Sequence, residues 1–276
     1  MSPAAGALRP LILVTNDDGI HAEGIKALAR ALLAIADVAV FAPDRNRSGV
    51  SHSISLLRPL RVIELAPGWH QIDGTPADCV YLAVHDVLQR RPDLVISGVN
   101  AGPNLSFDVH YSGTVGGAME GTLLGIPGIA VSLTNTRHGS FEVAAEFTKS
   151  LAAWVLANGM PANTTFNVNV PGGTPKGWQL TFMGHRLFRH AVERRQDPRG
   201  LPYYWIGGVP DEPRDIPGSD CNAIADGLIS VTPLSVDLTH RGVFERRLPG
   251  LEIGALPEVP PIAPPGEAHP IGPAQR

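Results

Sequence analysis

Apolar residues gather into short unbroken runs along this chain, and most of the runs end in polar, glycine-bearing loops. Leu11–Thr15, Val38–Ala42, Asp93–Ser97, Ile129–Leu133 and Thr165–Val170 are such runs. Apolar side chains on consecutive residues need burial on both faces, as in a parallel sheet covered by helices. Between the runs the period lengthens. Ile25, Leu28, Ala29, Leu32 and Leu33 share one face and predict a helix over about Ala22–Ala36. Thr75-Pro76-Ala77-Asp78 predicts a helix start, with Thr75 as cap, Pro76 in the first turn and Asp78 at capping-box spacing. That helix runs to about Gln89 and carries Cys79 as a small core residue. The small residues after Thr114 predict a closely packed helix. Phe141–Ala157 predicts a long one, with Val143, Phe147, Leu151, Trp154 and Val155 turned inward.

Strands alternating with helices at this spacing predict an α/β fold with a doubly wound, mostly parallel sheet. Leu60–Leu65 is also β-like. Later the pattern changes: Gln179–Met183, Tyr203–Gly207 and Leu228–Val231 are strand-like without long helices between them. Residues 184–219, rich in Arg, Asp, Gly and Pro, predict a protruding β-hairpin arm suited to subunit contact. Residues 1–9 read as a flexible arm and 10–240 as the main domain. Residues 241–276 read as an irregular, proline-rich tail, partly disordered.

Composition narrows the function classes. The net charge of −4 over 276 residues gives no global basic field for a nucleic-acid polymer. Positive charge for an anionic substrate must then come from a metal or a few arginines. The two cysteines, Cys79 and Cys221, form no CxxC motif, so neither a zinc site nor a disulfide framework is expected. No secretory signal is expected at the start, and no run approaches the ~18 apolar residues of a membrane span. The expectation is a soluble cytoplasmic protein.

Three polar loops follow three of the strands: Asn16-Asp17-Asp18-Gly19, Arg45–Ser53 and Gly98–Thr114. In a parallel sheet they converge on the carboxyl edge, where open α/β folds bind ligands. Asp17 and Asp18 are adjacent carboxylates at the end of an apolar strand. They read as half of an oxygen site for Mg²⁺, Mn²⁺ or Ca²⁺, or as a turn with a helix cap. A hydroxyl from the second loop and an amide from the third would complete the oxygen set. Ser112-Gly113-Thr114 before a helix reads as a phosphate cradle, or as an ordinary cap. Arg45 and Arg47 read as phosphate contacts or as solvated charge, and His21 and His52 as structural more than catalytic. Ser112 lacks the Gly-x-Ser-x-Gly elbow of a serine hydrolase.

Ordered along the chain, Val14-Thr15-Asn16-Asp17-Asp18-Gly19-Ile20, Ala42–Gly49, Gly74–Val80, Ser97–Asn104, Tyr111–Val115 and Ala118–Gly121 resemble the SurE family. The likeness extends to Asn167–Pro171 and Ser230–Leu234, and so covers roughly residues 11 to 239. Stationary-phase survival proteins of this family are metal-dependent nucleoside monophosphate phosphatases. The resemblance implies a Rossmann-like domain with a protruding hairpin and one divalent cation per subunit, Mg²⁺ or Mn²⁺. It implies Asp17, Asp18, Ser48 and Asn100 as metal ligands, and Asn104 with Ser112, Gly113 and Thr114 near the phosphate. It also implies action on 5′- and 3′-nucleotides, in some members on short polyphosphate, and assembly as a homodimer or homotetramer. On that reading Asp18 orients or deprotonates the attacking water and Asn104 holds the phosphoryl group. The C-terminus departs from the family, whose amphipathic helix gives way here to proline-rich sequence. A non-enzymatic nucleotide sensor and a hydrolase built on Ser112 are the competing readings.

Overall fold

The computed structural model describes residues 8–186, 191–207 and 212–246. In chain order the elements are β1 (Leu11–Thr15), α1 (Glu23–Leu32), β2 (Asp37–Pro43), β3 (Val62–Ala66), β4 (Trp69–Ile72), α2 (Pro76–Leu82), β5 (Leu94–Ala101), α3 (Gly113–Leu123) and β6 (Gly128–Leu133). There follow α4 (Phe141–Asn158), β7 (Thr164–Val170), β8 (Trp178–Leu180), β9 (Ala191–Gln196), β10 (Pro202–Gly207), α5 (Asp220–Ala225), β11 (Ile229–Ser235) and α6 (Arg241–Arg246). A π turn, Ala83–Val87, extends α2, and a 3₁₀ turn, Ser106–His110, precedes α3.

β1 is buried along its whole length, and the pleat explains what covers it. Ile12 and Val14 pack in one core with Ile25 and Leu28 of α1 and Ala152 of α4. Leu11 and Leu13 point into another core with Cys79 and Val80 of α2. Helices therefore cover both faces, as the continuous apolar runs predicted.

The strand order in the nine-stranded sheet is β3-β4-β2-β1-β5-β6-β7-β11-β8. β4, β2, β1, β5, β6 and β7 run parallel, and β3 and β11 are antiparallel to their neighbours β4 and β7. From β1 the chain first winds outward through β2 to β4. It then returns with β5 on the other side of β1. That reversal makes β1/β5 the topological switch point, whose crevice lies outside the carboxyl ends of the strands. β9 and β10 form the separate antiparallel hairpin, exposed along β10.

The cap of α2 is built as the sequence predicted: Thr75 accepts from the Asp78 N–H and Asp78 from the Thr75 N–H. The expected inward face of α4 needs correction. Val143 and Trp154 are exposed, Phe147 and Leu151 are half-buried, and the buried face is Ala144, Ala145, Thr148, Ala152 and Val155. Small side chains let α4 approach α1 and the sheet closely, which displaces the bulky residues to its flanks. Arg9, expected in a loose arm, is tied down through the Leu33 carbonyl and Asp37; residues 1–7 lie outside the described residues.

The chain divides into two compact units after Asp237. In the second, His240 Nδ1 accepts from the Val243 N–H (3.1 Å) at the start of α6, so Arg241–Arg246 are helical rather than irregular. The tail expected beyond Arg246 lies outside the described residues. Among the described residues no helix is long and apolar enough to cross a membrane.

Candidate functional site

The loop after β1 is clamped by its first residue. Asn16 donates to the Gly19 carbonyl (2.9 Å) and accepts from the Gly19 N–H (3.2 Å), closing a tight turn around the two carboxylates. Asp17 is only 4% exposed, and its Oδ1 accepts from the Thr114 hydroxyl at 2.6 Å. Asp18 Oδ2 accepts from the Ala101 N–H (2.9 Å) and Oδ1 from Asn46 (3.3 Å). Burial pushes the Asp17 carboxyl above the usual carboxylate range, the Thr114 bond opposes this, and the neighbouring Asp18 charge adds to it. Burial raises Asp18 as well, against the Ala101 N–H. Neither carboxylate has a Lys, Arg or His partner among the described residues. Two poorly solvated acids without a counter-charge are a site waiting for a cation.

The second loop is anchored from within. Arg47 donates its N–H to the Asp17 carbonyl (2.6 Å), and its guanidinium bonds Asp44 (3.1 Å) and the Asp73 carbonyl (3.0 Å). It is a brace, whereas Arg45 is exposed. Asn46 accepts from the Ser48 N–H (2.8 Å) and so fixes the turn that carries the Ser48 hydroxyl. Ser51 bonds the backbone of Tyr111 and His110, and His52 Nε2 meets Glu120 of α3 at 2.7 Å. The second loop is thereby laced to the third. His52 is used in that lacing, and His21 is exposed.

The third loop begins where the β5–β6 register shifts, between Ser97 and Asn100. Gly98 there takes φ +138°, and a Cβ on it would lie 2.3 Å from the Val131 carbonyl oxygen, so no other residue fits without moving β6. Asn100 Nδ2 donates to the Gly102 carbonyl (2.9 Å), which leaves its Oδ1 as the oxygen for a ligand. Asn104 is held at its backbone by Asn169 and Asn167, and one side-chain N–H goes to Ser132 (2.8 Å). Ser112 caps α3 by accepting from the Val115 N–H (3.1 Å). Gly113 lets the first turn of α3 lie on Asp17, since a Cβ there would sit 2.9 Å from Asp17 Cβ.

These loops enclose a cleft of about 460 Å³ at the β1/β5 switch point. Asp17, Ser48, Asn100, Asn104 and Ser112 line it, as does Ala101, which holds Asp18. Gly113 and Thr114 pack on Asp17: Thr114 is fully buried, with its hydroxyl on the carboxylate. Asp108, Tyr111 and Arg186 also line the cleft and escaped the sequence reading. Asp108 and Arg186 are ion-paired across 78 residues of chain, and no local pattern distinguishes Arg186 from the other arginines around the hairpin.

The donors fit a hard divalent cation. All are oxygens, two of them charged, and among the described residues no cluster of three or more His, Cys, Asp or Glu side chains offers a softer site. Among the described residues no histidine bonds Ser112, so a serine–histidine nucleophile is not assembled.

Comparison with known proteins gives the chain clear relatives. The family model described as Survival protein SurE matches residues 12–190. A protein named 5′-nucleotidase SurE from Geobacter sulfurreducens is 52% identical over 233 residues, 83% of this chain and 89% of that one. One of the same name from Anaeromyxobacter sp. (strain Fw109-5) is 50% identical over 237 residues, 85% of this chain and 93% of that one. The crystal structure of the SurE protein from Aquifex aeolicus superposes with a TM-score of 0.77 at 42% identity, covering 86% of this chain and 98% of that one.

Proposed function

The chain belongs to the SurE family, and from that premise we propose that it is a divalent-metal-dependent 5′-nucleotidase. One observation carries the reading: two uncompensated carboxylates, Asp17 buried and Asp18 half-buried, stand at the topological switch point, beside neutral oxygen donors. Similar chains bear the nucleotidase name over most of their length. The substrate is a nucleoside 5′-monophosphate, with 3′-monophosphates and short polyphosphate as further candidates. Assembly as a homodimer or homotetramer and a cytoplasmic setting belong to the same proposal; the buried free thiols of Cys79 and Cys221 suit a reducing compartment.

Asp17, Asp18, the Ser48 hydroxyl and the Asn100 carboxamide oxygen would hold one Mg²⁺ or Mn²⁺. Bound there, the cation would polarise a phosphoryl oxygen and lower the pKa of a water. The rest falls to the chain's own groups. Thr114 and the first turn of α3 keep Asp17 in one orientation. The Ala101 N–H fixes Asp18, whose carboxylate accepts the proton of the attacking water. The second side-chain N–H of Asn104 and the Ser112 hydroxyl, whose oxygen already accepts the helix-capping bond, donate to the phosphoryl oxygens. A substrate panel of nucleotides and polyphosphates, run with Mg²⁺, Mn²⁺ and EDTA, tests the proposal. Phosphate release from AMP that is abolished by EDTA and restored by Mn²⁺ is expected. Release indifferent to chelation, or tight nucleotide binding without release, would overturn it.

A further inference from the structure

The cleft wall carries a charge that the proposed chemistry has not used. Arg186 lines the same cleft as Asp17, Asn100, Asn104 and Ser112, and among the described lining residues it is the one Lys or Arg. Its side chain is 12% exposed, and it pairs with Asp108, itself 10% exposed. The pairing runs from Arg186 Nη2 to Asp108 Oδ2, and Asp108 Oδ1 is buried with no hydrogen-bond partner. A carboxylate that matched its arginine for stability alone would take the guanidinium fork with both oxygens. Asp108 thus grips the guanidinium with a single oxygen.

The backbone beneath Arg186 is set with equal care. The Arg186 N–H donates to the Ser106 hydroxyl (2.9 Å), and that hydroxyl donates to the Gly184 carbonyl (2.9 Å). The fully buried carboxylate of Asp220 accepts from the Ser106 N–H (2.8 Å) and the Gly184 N–H (2.7 Å). Ser106 takes the left-handed backbone region, φ +54°, to close this ring. Three segments distant in sequence are thus stapled where Arg186 enters the cleft. Ionic pairs this buried contribute little net stability. Such a staple around a cleft-lining cation fits a group held for a ligand.

The lining gives the ligand its sign. Asp17, Asp18, Asp108 and Asp220 make the region acidic, and Arg186 is the one Lys or Arg among the described lining residues. A divalent cation on Asp17 and Asp18 would offset part of that negative charge, and the guanidinium of Arg186 supplies positive charge on the cleft wall where a phosphate dianion would enter. A guanidinium is also the side chain whose planar donors match phosphoryl oxygens. Resting on the nucleotidase reading, we propose that Arg186 binds the phosphoryl group of the substrate and sets the preference for a dianionic monoester, with Asp108 and Ser106 as its positioning residues.

The test uses the full chain with Mn²⁺ and compares wild type with R186Q, R186K and D108N. It reads KM and kcat for AMP, competitive inhibition by inorganic phosphate, Mn²⁺ affinity by calorimetry, and Tm. R186Q is expected to raise KM and the phosphate inhibition constant together by 10- to 100-fold, with Mn²⁺ affinity within twofold of wild type. R186K should recover part of that loss, and D108N should raise both constants 3- to 10-fold. Should R186Q fail to fold, R186K and D108N carry the test with the same parallel rise. Folded variants whose KM and phosphate inhibition stay within twofold of an active wild type overturn the role of Arg186 alone. A wild type that hydrolyses no monophosphate overturns the nucleotidase reading and this proposal with it.

Discussion

Two cavities of comparable size among the described residues have opposite chemistry. The cleft at the β1/β5 switch point, about 460 Å³, is walled by loops and carries Asp17, Asp108 and Arg186. The other, about 310 Å³, lies between α4 and the β7–β11–β8 end of the sheet, lined by Phe147, Leu151, Trp154, Phe166 and Trp178. The second is made by side chains of regular elements, whose backbone groups are already spent on helix and sheet. Among its described lining residues none is titratable, and the Ser150 hydroxyl is spent on the Glu146 carbonyl. The first is made where strands end, so backbone N–H groups and short polar side chains are left to orient charges. Volume therefore says little about function in this fold; an uncompensated buried charge says much.

The largest effect that could break this contrast comes from the carboxylates. D17N and D18N should each lower kcat/KM for AMP by about 10³-fold or more at saturating Mn²⁺. Near-normal turnover by both would move the chemistry elsewhere. Next in size is G113A. Its new Cβ would lie 2.9 Å from Asp17 Cβ and 3.0 Å from Val50 Cγ2, so Asp17 must shift. A loss of about 10- to 100-fold in kcat/KM, with weaker Mn²⁺ binding by calorimetry, is expected.

A substitution in the apolar cavity should do the reverse. Leu151 is half-buried against the core, and L151A should cost about 1–2 kcal/mol in urea unfolding while kcat/KM stays within twofold. The smallest effect has the opposite sign. In metal-free buffer D17N removes a desolvated charge and should raise Tm by about 2–4 °C, for roughly 1 kcal/mol. Wild type should behave likewise under mild acid. A carboxyl whose folded-state pKa is raised binds its proton more tightly when folded. The metal-free fold therefore gains stability as pH falls from neutral through that raised value towards the unfolded value of about 3.9. A Tm that falls for D17N, or on such acidification, would show that Asp17 is satisfied without a cation.

Much of the architecture was legible in local pattern. Leu11–Thr15 reads as a doubly buried strand because five consecutive residues resist any one-faced element, and Thr75–Asp78 announces a helix because capping chemistry is local. Trp69–Ile72 did not read as a strand: it has four residues and only Ile72 is buried. The face of α4 was misjudged because alanines carry little hydrophobic signal, yet they allow the closest approach. Asp17 and Asp18 stood out because two acids after an apolar strand are chemically odd wherever they occur.

Sequence alone determined the alternation of strand and helix, the three polar loops and, through family resemblance, the candidate ligands Asp17, Asp18, Ser48 and Asn100. Those properties follow from side-chain period and from residue types next to one another in the chain. Only the tertiary structure decided that β5 returns beside β1 to open the crevice and that the Thr114 hydroxyl bonds Asp17. It alone brought Arg186 and Asp108 to the wall of that crevice. Those outcomes depend on contacts between residues 78 to 97 positions apart, and nothing in the local pattern specifies which distant segment will fill the space beside a loop.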